Sequence, residues 1–296
     1  MKWLKRIALG IVGLAVLAVG LVFALSQRKL TRTIDVPRET IVLPTDSISL
    51  ARGQHLATAI GKCGACHGDN FGGTSFVDDN AFGHVPAPNL TRGKGGVGAT
   101  LTDADYERAI RHGIGPDGKA LIIMPAEAFN TFSNADVLAL IAYLRTRPPV
   151  DNTLAVRTPG PIMRMLLAIN APLQPANQID QAAVHASDVV PAVSVEYGRY
   201  LAVVGGCTSC HNPSLSGGPI AGAKPGEKAP ANLTPGGLVN WTLGDFRRAL
   251  REGVRPQGTA IDSVMPWRYT KLMTDDEIDA VWKYLQSMPA KAYGVR

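Results

Sequence analysis

The sequence predicts an all-α chain, with an apolar transmembrane helix at the N-terminus followed by two small helical domains in tandem. Three observations carry that expectation. A long block of residues is written twice at an offset of 140 to 145. Helix starts of the form hydroxyl-x-x-acid recur four times. Between them the chain is rich in glycine and proline and poor in β-branched alternation, so strands are not expected to organise it. A length of 296 residues suffices for two domains of ordinary size, each burying its own core.

The first element follows from hydropathy. Lys2, Lys5 and Arg6 precede Ile7 to Leu25, a run of 19 residues without a charged side chain, close to the ~20 that cross a bilayer as a helix. Residues 1–30 are therefore read as a membrane anchor. A signal peptide is the alternative, although Ala24-Leu25-Ser26 is a poor match to a cleavage site. Arg28, Lys29 and Arg32 beyond the run leave the positive-inside rule without a clear orientation.

The repeated domains are read as residues 45–150 and 193–296. Gly53-Gln-His-Leu56-Ala57 reappears as Gly198-Arg-Tyr-Leu201-Ala202, Asn89-Leu-Thr91 as Asn232-Leu-Thr234, Met124-Pro125 as Met265-Pro266 and Tyr143-Leu144 as Tyr284-Leu285. A repeat this long marks tandem domains rather than a solenoid. Thr102-x-x-Asp105, Ser133-x-x-Asp136, Thr242-x-x-Asp245 and Thr274-x-x-Glu277 are capping-box signatures, in which the hydroxyl takes an orphan amide and the acid suits the positive end of the helix. Val137, Leu140, Ile141 and Leu144 in one unit, and Ile278, Val281, Trp282 and Leu285 in the other, have the spacing of a half-buried terminal helix. Pro148-Pro149 and Pro289 follow, where such a helix stops. Residues 151–192 differ in texture and read as a connector, with a short apolar stretch from Ile162 to Ile169. Its Met163 and Met165 are expected to be packing residues.

All four cysteines fall in two pentapeptides, Cys63-Gly-Ala-Cys66-His67 and Cys207-Thr-Ser-Cys210-His211. Each reads as a c-type haem attachment site, because two thiols one helical turn apart can add to the two vinyl groups of a porphyrin while the adjacent histidine reaches the iron. Two covalently bound haem c groups are expected. A single zinc cage is the competing reading, but the pairs lie 144 residues apart, whereas zinc modules close short loops. Because this attachment takes place on the exported side of bacterial membranes, the expected address is the inner membrane with the haem domains in the periplasm.

A sixth ligand decides whether such an iron carries electrons or reacts with small molecules. Met124 lies 57 residues beyond His67 and Met265 lies 54 beyond His211, each followed by proline. A thioether is a soft ligand that raises the reduction potential, and the proline stiffens its loop. Met124 and Met265 are therefore the candidate distal ligands to haem 1 and haem 2. Met273 and Met288 are fallbacks in the second unit, and His55, His84 and His112 are alternatives in the first. His55 corresponds to Tyr200 and His112 to Glu252 in the repeat, which favours surface or packing roles. The formal net charge of +6 gathers partly beside the apolar run and forms no basic stripe with interleaved aromatics, so no nucleic-acid partner is expected.

The Gly-x-x-Leu-Ala before Cys-x-x-Cys-His, then Asn-Leu-Thr, Asp-Phe-Arg-Arg-Ala-Leu-Arg-Glu-Gly-Val-Arg-Pro, Met-Pro and Tyr-Leu resemble the mono- and dihaem cytochrome c family. The likeness is greatest to the cytochrome subunits of membrane-bound bacterial alcohol and gluconate dehydrogenases, over about residues 48–150 and 193–290. It implies class I-like cytochrome c domains, His67 and His211 as proximal ligands, Met124 and Met265 as distal ones, and electron transfer as the task. Those subunits carry three haems, where this chain has two motifs. The function expected is that of a membrane-anchored periplasmic dihaem cytochrome passing single electrons in a respiratory chain, with a dehydrogenase, other cytochromes or a terminal oxidase as partners and no catalytic residue of its own. A subunit of a periplasmic dehydrogenase complex is one alternative. A dihaem peroxidase is another, against which methionines at equivalent places count, since that enzyme needs an open iron site with acid–base groups beside it.

Overall fold

The computed structural model describes residues 2–220 and 228–295. Helix α1 (Lys2–Thr31) comes first, its apolar side chains exposed along nearly its whole length. The first unit contains α2 (Ser47–His55), continued by a wider turn over Leu56–Ile60, then α3 (Gly64–His67), strands β1 (Thr74–Asp79) and β2 (Gly83–Ala87), and helices α4 (Asp103–His112), α5 (Ala126–Phe129) and α6 (Asn134–Arg145). The connector supplies β3 (Thr158–Pro159) and α7 (Pro161–Ala168). The second unit has α8 (Val195–Val204), α9 (Cys207–Cys210), α10 (Leu243–Glu252), α11 (Trp267–Thr270) and α12 (Asp275–Ser287).

Helices carry the fold, with one addition that hydropathy did not foretell. Strands β1, β2 and β3 form a small antiparallel sheet in that order, Val77 opposite Val85 and Gly83 opposite Pro159. The hairpin turn is held by the Asp79 carboxylate, which accepts the amides of Ala81 and Phe82 at 2.8 and 2.9 Å. Strands this short, one of them containing Pro86, leave little alternation to read.

Within each unit the helix before the cysteine motif crosses the terminal helix at a glycine. A Cβ on Gly53 would lie 2.0 Å from the Ala139 carbonyl oxygen, and one on Gly198 would lie 1.9 Å from that of Ala280. This is the physical content of the repeated Gly-x-x-Leu-Ala. Gly198→Ala is expected to cost about 3 kcal/mol or more, the upper range for overpacking, because the obstructing atoms are backbone. Thermal unfolding of the variant measures it.

Three of the four capping boxes close reciprocally: Thr102 with Asp105, Thr242 with Asp245 and Thr274 with Glu277. At Ser133 the hydroxyl accepts the Asp136 amide at 3.1 Å, but the Asp136 carboxylate has turned away. It takes a two-pronged ion pair from Arg52, at 2.8 and 2.9 Å, and a 2.6 Å hydrogen bond from the Tyr200 hydroxyl. The Ser133 amide that it abandons donates to the Tyr200 oxygen instead, at 3.2 Å.

That exchange belongs to an interface with approximate two-fold character. Tyr200 of the second unit reaches Asp136 of the first, while the equivalent His55 of the first reaches the equivalent Glu277 of the second at 2.7 Å. Arg52 also donates to Tyr197 at 3.2 Å. Around these groups the buried apolar residues of both units, from Leu56 and Leu140 to Leu201 and Leu285, form a single continuous cluster. Two cores have become one.

Burial pushes the Glu277 carboxyl up, but hydrogen bonds from His55 and the Thr274 amide, with Arg52 nearby, hold it on balance below its ordinary value of about 4.5. A carboxyl depressed on folding contributes stability that is present above its unfolded pKa and lost as pH falls through the folded one. The melting temperature is therefore expected to drop below about pH 4.5, and Glu277→Gln to flatten that drop. Equal acid profiles for the two proteins would refute this assignment.

Candidate haem sites

Each cysteine motif folds as one tight helical turn. The His67 amide donates to the Cys63 carbonyl at 2.9 Å, and the His211 amide to the Cys207 carbonyl at 2.8 Å. Both thiols of a motif and its imidazole are thereby presented from a single turn. None of the four cysteines is in a disulfide. Burial, reinforced by the neighbouring Cys66, pushes the Cys63 thiol up to about 12, and burial raises the other three as well. Among the described residues no three or more His, Cys, Asp or Glu side chains gather where they could share a metal ion. The four thiols do not form one cage.

The two imidazoles are held alike. His67 Nδ1 bonds the Pro88 carbonyl at 2.8 Å and His211 Nδ1 bonds the Ala231 carbonyl at 2.7 Å. A carbonyl only accepts, so Nδ1 carries the proton and Nε2 keeps its lone pair, the arrangement of an oriented metal ligand. Burial pushes both imidazoles below their ordinary pKa, so they stand neutral at neutral pH.

Those carbonyls are themselves positioned by the Asn-Leu-Thr segments, whose role the sequence alone does not assign. Asn89 and Asn232 each accept from the Thr two residues on, amide at 2.9 Å and hydroxyl at 2.8 Å. Their side-chain amides reach forward to the Val150 carbonyl at 2.7 Å and the Lys291 carbonyl at 2.8 Å, beyond the terminal helices. The repeated motif was visible, but its link to the histidine runs through a main-chain oxygen that no side-chain pattern encodes.

The methionines share a turn as well. Pro125 and Pro266 have φ of −79° with ψ of 57° and 49°, and the amide after each proline bonds the methionine carbonyl at 2.8 Å. This is an inverse γ-turn, which proline's fixed φ favours. Met265 lines the same cavity as Cys207, Cys210 and His211, with Leu201, Trp241, Phe246, Ile261 and Leu285 among its largely apolar walls. Met124 is half-buried and, with Cys63, packs against the common core. The fallback Met273 also lines that cavity and is buried, whereas Met288 lies at the end of α12. The alternative histidines have other partners: His55 has Glu277, His84 has Asp78, and His112 has Gln181 and Glu107.

Between the motifs stands Lys62, which no sequence pattern marks. Its ammonium donates to the Ile60 carbonyl at 2.9 Å and, across the interface, to the Gly205 carbonyl at 2.6 Å. Its φ is 51°, the left-handed conformation that the second unit meets with Gly206. A thiol pair on one turn, a neutral imidazole with Nε2 available and an apolar cavity suit a covalently attached haem.

The cytochrome c family model matches residues 50–148 and 195–289, which is more than half of the chain. The chain belongs to the cytochrome c family. Membership implies covalently bound haem c, in agreement with the donor set. The fructose dehydrogenase cytochrome subunit of Gluconobacter japonicus is 28% identical over 267 residues, 82% of this chain and 53% of that one. The gluconate 2-dehydrogenase cytochrome c subunit of Pantoea cypripedii is 30% identical over 277 residues, 81% of this chain and 59% of its own. A diheme cytochrome c-type protein of Cereibacter sphaeroides is 27% identical over 272 residues, 81% of this chain and 86% of its own. The cytochrome thus spans little more than half the length of the dehydrogenase subunits.

Proposed function

We propose that this cytochrome is a membrane-anchored, periplasmic electron carrier with two haem c groups, passing single electrons from a dehydrogenase to a further cytochrome or a terminal oxidase. Cys63 and Cys66 would hold one haem and Cys207 and Cys210 the other. His67 with Met124, and His211 with Met265, would ligate the two irons. Both units would be class I-like, with the sheet as a local embellishment of the first. The observation that carries the reading is the shared local geometry of the two motifs, down to the Nδ1–carbonyl bond that leaves Nε2 free.

Bound haem supplies a one-electron couple. The polypeptide does the rest: the imidazole tautomer is set by Pro88 and Ala231, and apolar walls exclude water and favour the less charged state of a buried couple. The Lys62 bond to Gly205 holds the two motifs side by side, the arrangement that internal electron exchange requires. An apolar α1, 30 residues long, supports the anchor. The similarity to cytochrome subunits of fructose and gluconate dehydrogenases supports a dehydrogenase as donor.

Haemochrome analysis and intact mass of the purified protein should give two haems per chain. A redox titration should resolve two one-electron steps. A mass equal to the bare polypeptide would overturn the reading.

A further inference from the structure

Helix α7 is fastened to the last turns of α1. The Arg164 guanidinium sits 4.3 Å over the Phe23 ring, and its Nη1 donates to Ser26 Oγ at 3.2 Å and to Gln27 Oε1 at 3.4 Å. Lys29 donates to the Asn170 side chain, and Gln174 Nε2 to the Lys29 carbonyl at 3.3 Å. Leu30 packs against the small cluster that contains Met163 and Leu167.

The two faces of α7 differ. Met163 is buried, as expected of a packing residue, but Met165 is turned outward because the helical period puts it on the opposite side. Pro161, Met165 and Ile169, four residues apart, form an outward stripe, with Met165 47% and Ile169 66% exposed. Phe82, 39% exposed, adjoins its start, where its carbonyl accepts the Gly160 amide at 2.8 Å. A single exposed methionine needs no explanation. Here the stripe sits beside α1 at the level of Phe23 to Lys29, where the apolar run gives way to charge. No aspartate or glutamate occurs between Asp151 and Asp180, while Arg157 and Arg164 do, and Arg28, Lys29 and Arg32 close α1.

We propose that the outer face of α7 rests in the lipid–water interface of the bilayer that α1 crosses, with the exposed Arg28 and Arg32 at the end of α1 available to phospholipid phosphates while Arg164 and Lys29 fasten α7 to α1. The inference rests on α1 being a retained anchor. An apolar stripe flanked by cations is the composition of an interfacial helix, and its junction with α1 sets the depth. The first haem unit is thereby held against the membrane in one orientation rather than swinging on a tether.

The test uses the full-length haem-loaded protein in nanodiscs of phosphatidylcholine and phosphatidylglycerol, with a phospholipid carrying a photoactivatable group high on its acyl chain. Adducts are mapped by mass spectrometry. Labelling is expected in α1 and in residues 161–170, with none at Val239, which is 76% exposed on the second unit. Met165→Glu with Ile169→Glu should lower labelling of 161–170 at least tenfold and leave α1 labelled. Adducts in α1 alone, or labelling of 161–170 unchanged in the double variant, would overturn the proposal and leave the anchor standing. An unlabelled α1, or a mature chain beginning after Leu25, would overturn the anchor and the proposal with it.

Discussion

Met265→Ala is expected to convert one of the two proposed haems from low to high spin and to lower its potential by on the order of 0.1 V, within the ~0.8 V range over which axial ligands act. Met265 lies on the wall of the cavity that His211, Cys207 and Cys210 also line, and an alanine there has no sulfur to offer. Electron spin resonance resolves the two spin states, and an optical redox titration reads the potential. Met273 is the internal control, because it lines the same cavity but is buried in the core. Met273→Leu conserves volume and should cost less than about 1.5 kcal/mol with no change of spin state. If instead Met273→Leu produced the high-spin signal and Met265→Ala did not, the ligand assignment would pass to Met273. Met124→Ala should give the corresponding change at the other haem.

Asp136→Ala is the second large effect, acting on assembly rather than on a ligand. Its carboxylate is 5% exposed and holds both the Arg52 guanidinium and the Tyr200 hydroxyl. Removing it strands a cation that is itself 21% exposed, and breaking such a buried pair costs about 3–5 kcal/mol. Urea denaturation should show the midpoint fall. Because Tyr200 joins the second unit to the first through Asp136, exchange of electrons between the two haems should slow as well, which flash reduction of one haem would follow. Replacing both partners, Arg52→Met with Asp136→Leu, should recover much of the stability, since apolar substitutes for a buried pair are often neutral. A single variant as stable as the parent would show that the interface is held elsewhere.

The cysteine motifs, the caps and the repeated Gly-x-x-Leu-Ala were legible because each lies within a few residues or recurs at a fixed offset, whereas the crossing of helices at Gly53 and Gly198 was not. Cys63 to His67 is one turn and Thr274 to Glu277 is the start of one helix, so each signature lies within a few residues. Asp136 shows where that legibility stops. Its sequence signature is a capping box, yet a guanidinium 84 residues away and a phenol 64 away outbid a backbone amide three away. A charged donor in a buried setting binds a carboxylate more strongly than a neutral amide does.

Local helical chemistry was therefore written in the order of the residues, including the grouping of thiols with imidazole and four of the places where helices begin. The merging of two cores into one, the reciprocal Tyr200–Asp136 and His55–Glu277 contacts, the Lys62 bridge and the docking of α7 on α1 appear only when the chain is folded. Their partners are separated by 64 to 222 residues. Such contacts depend on how whole helices cross, a property of packed surfaces that no short pattern of residues records.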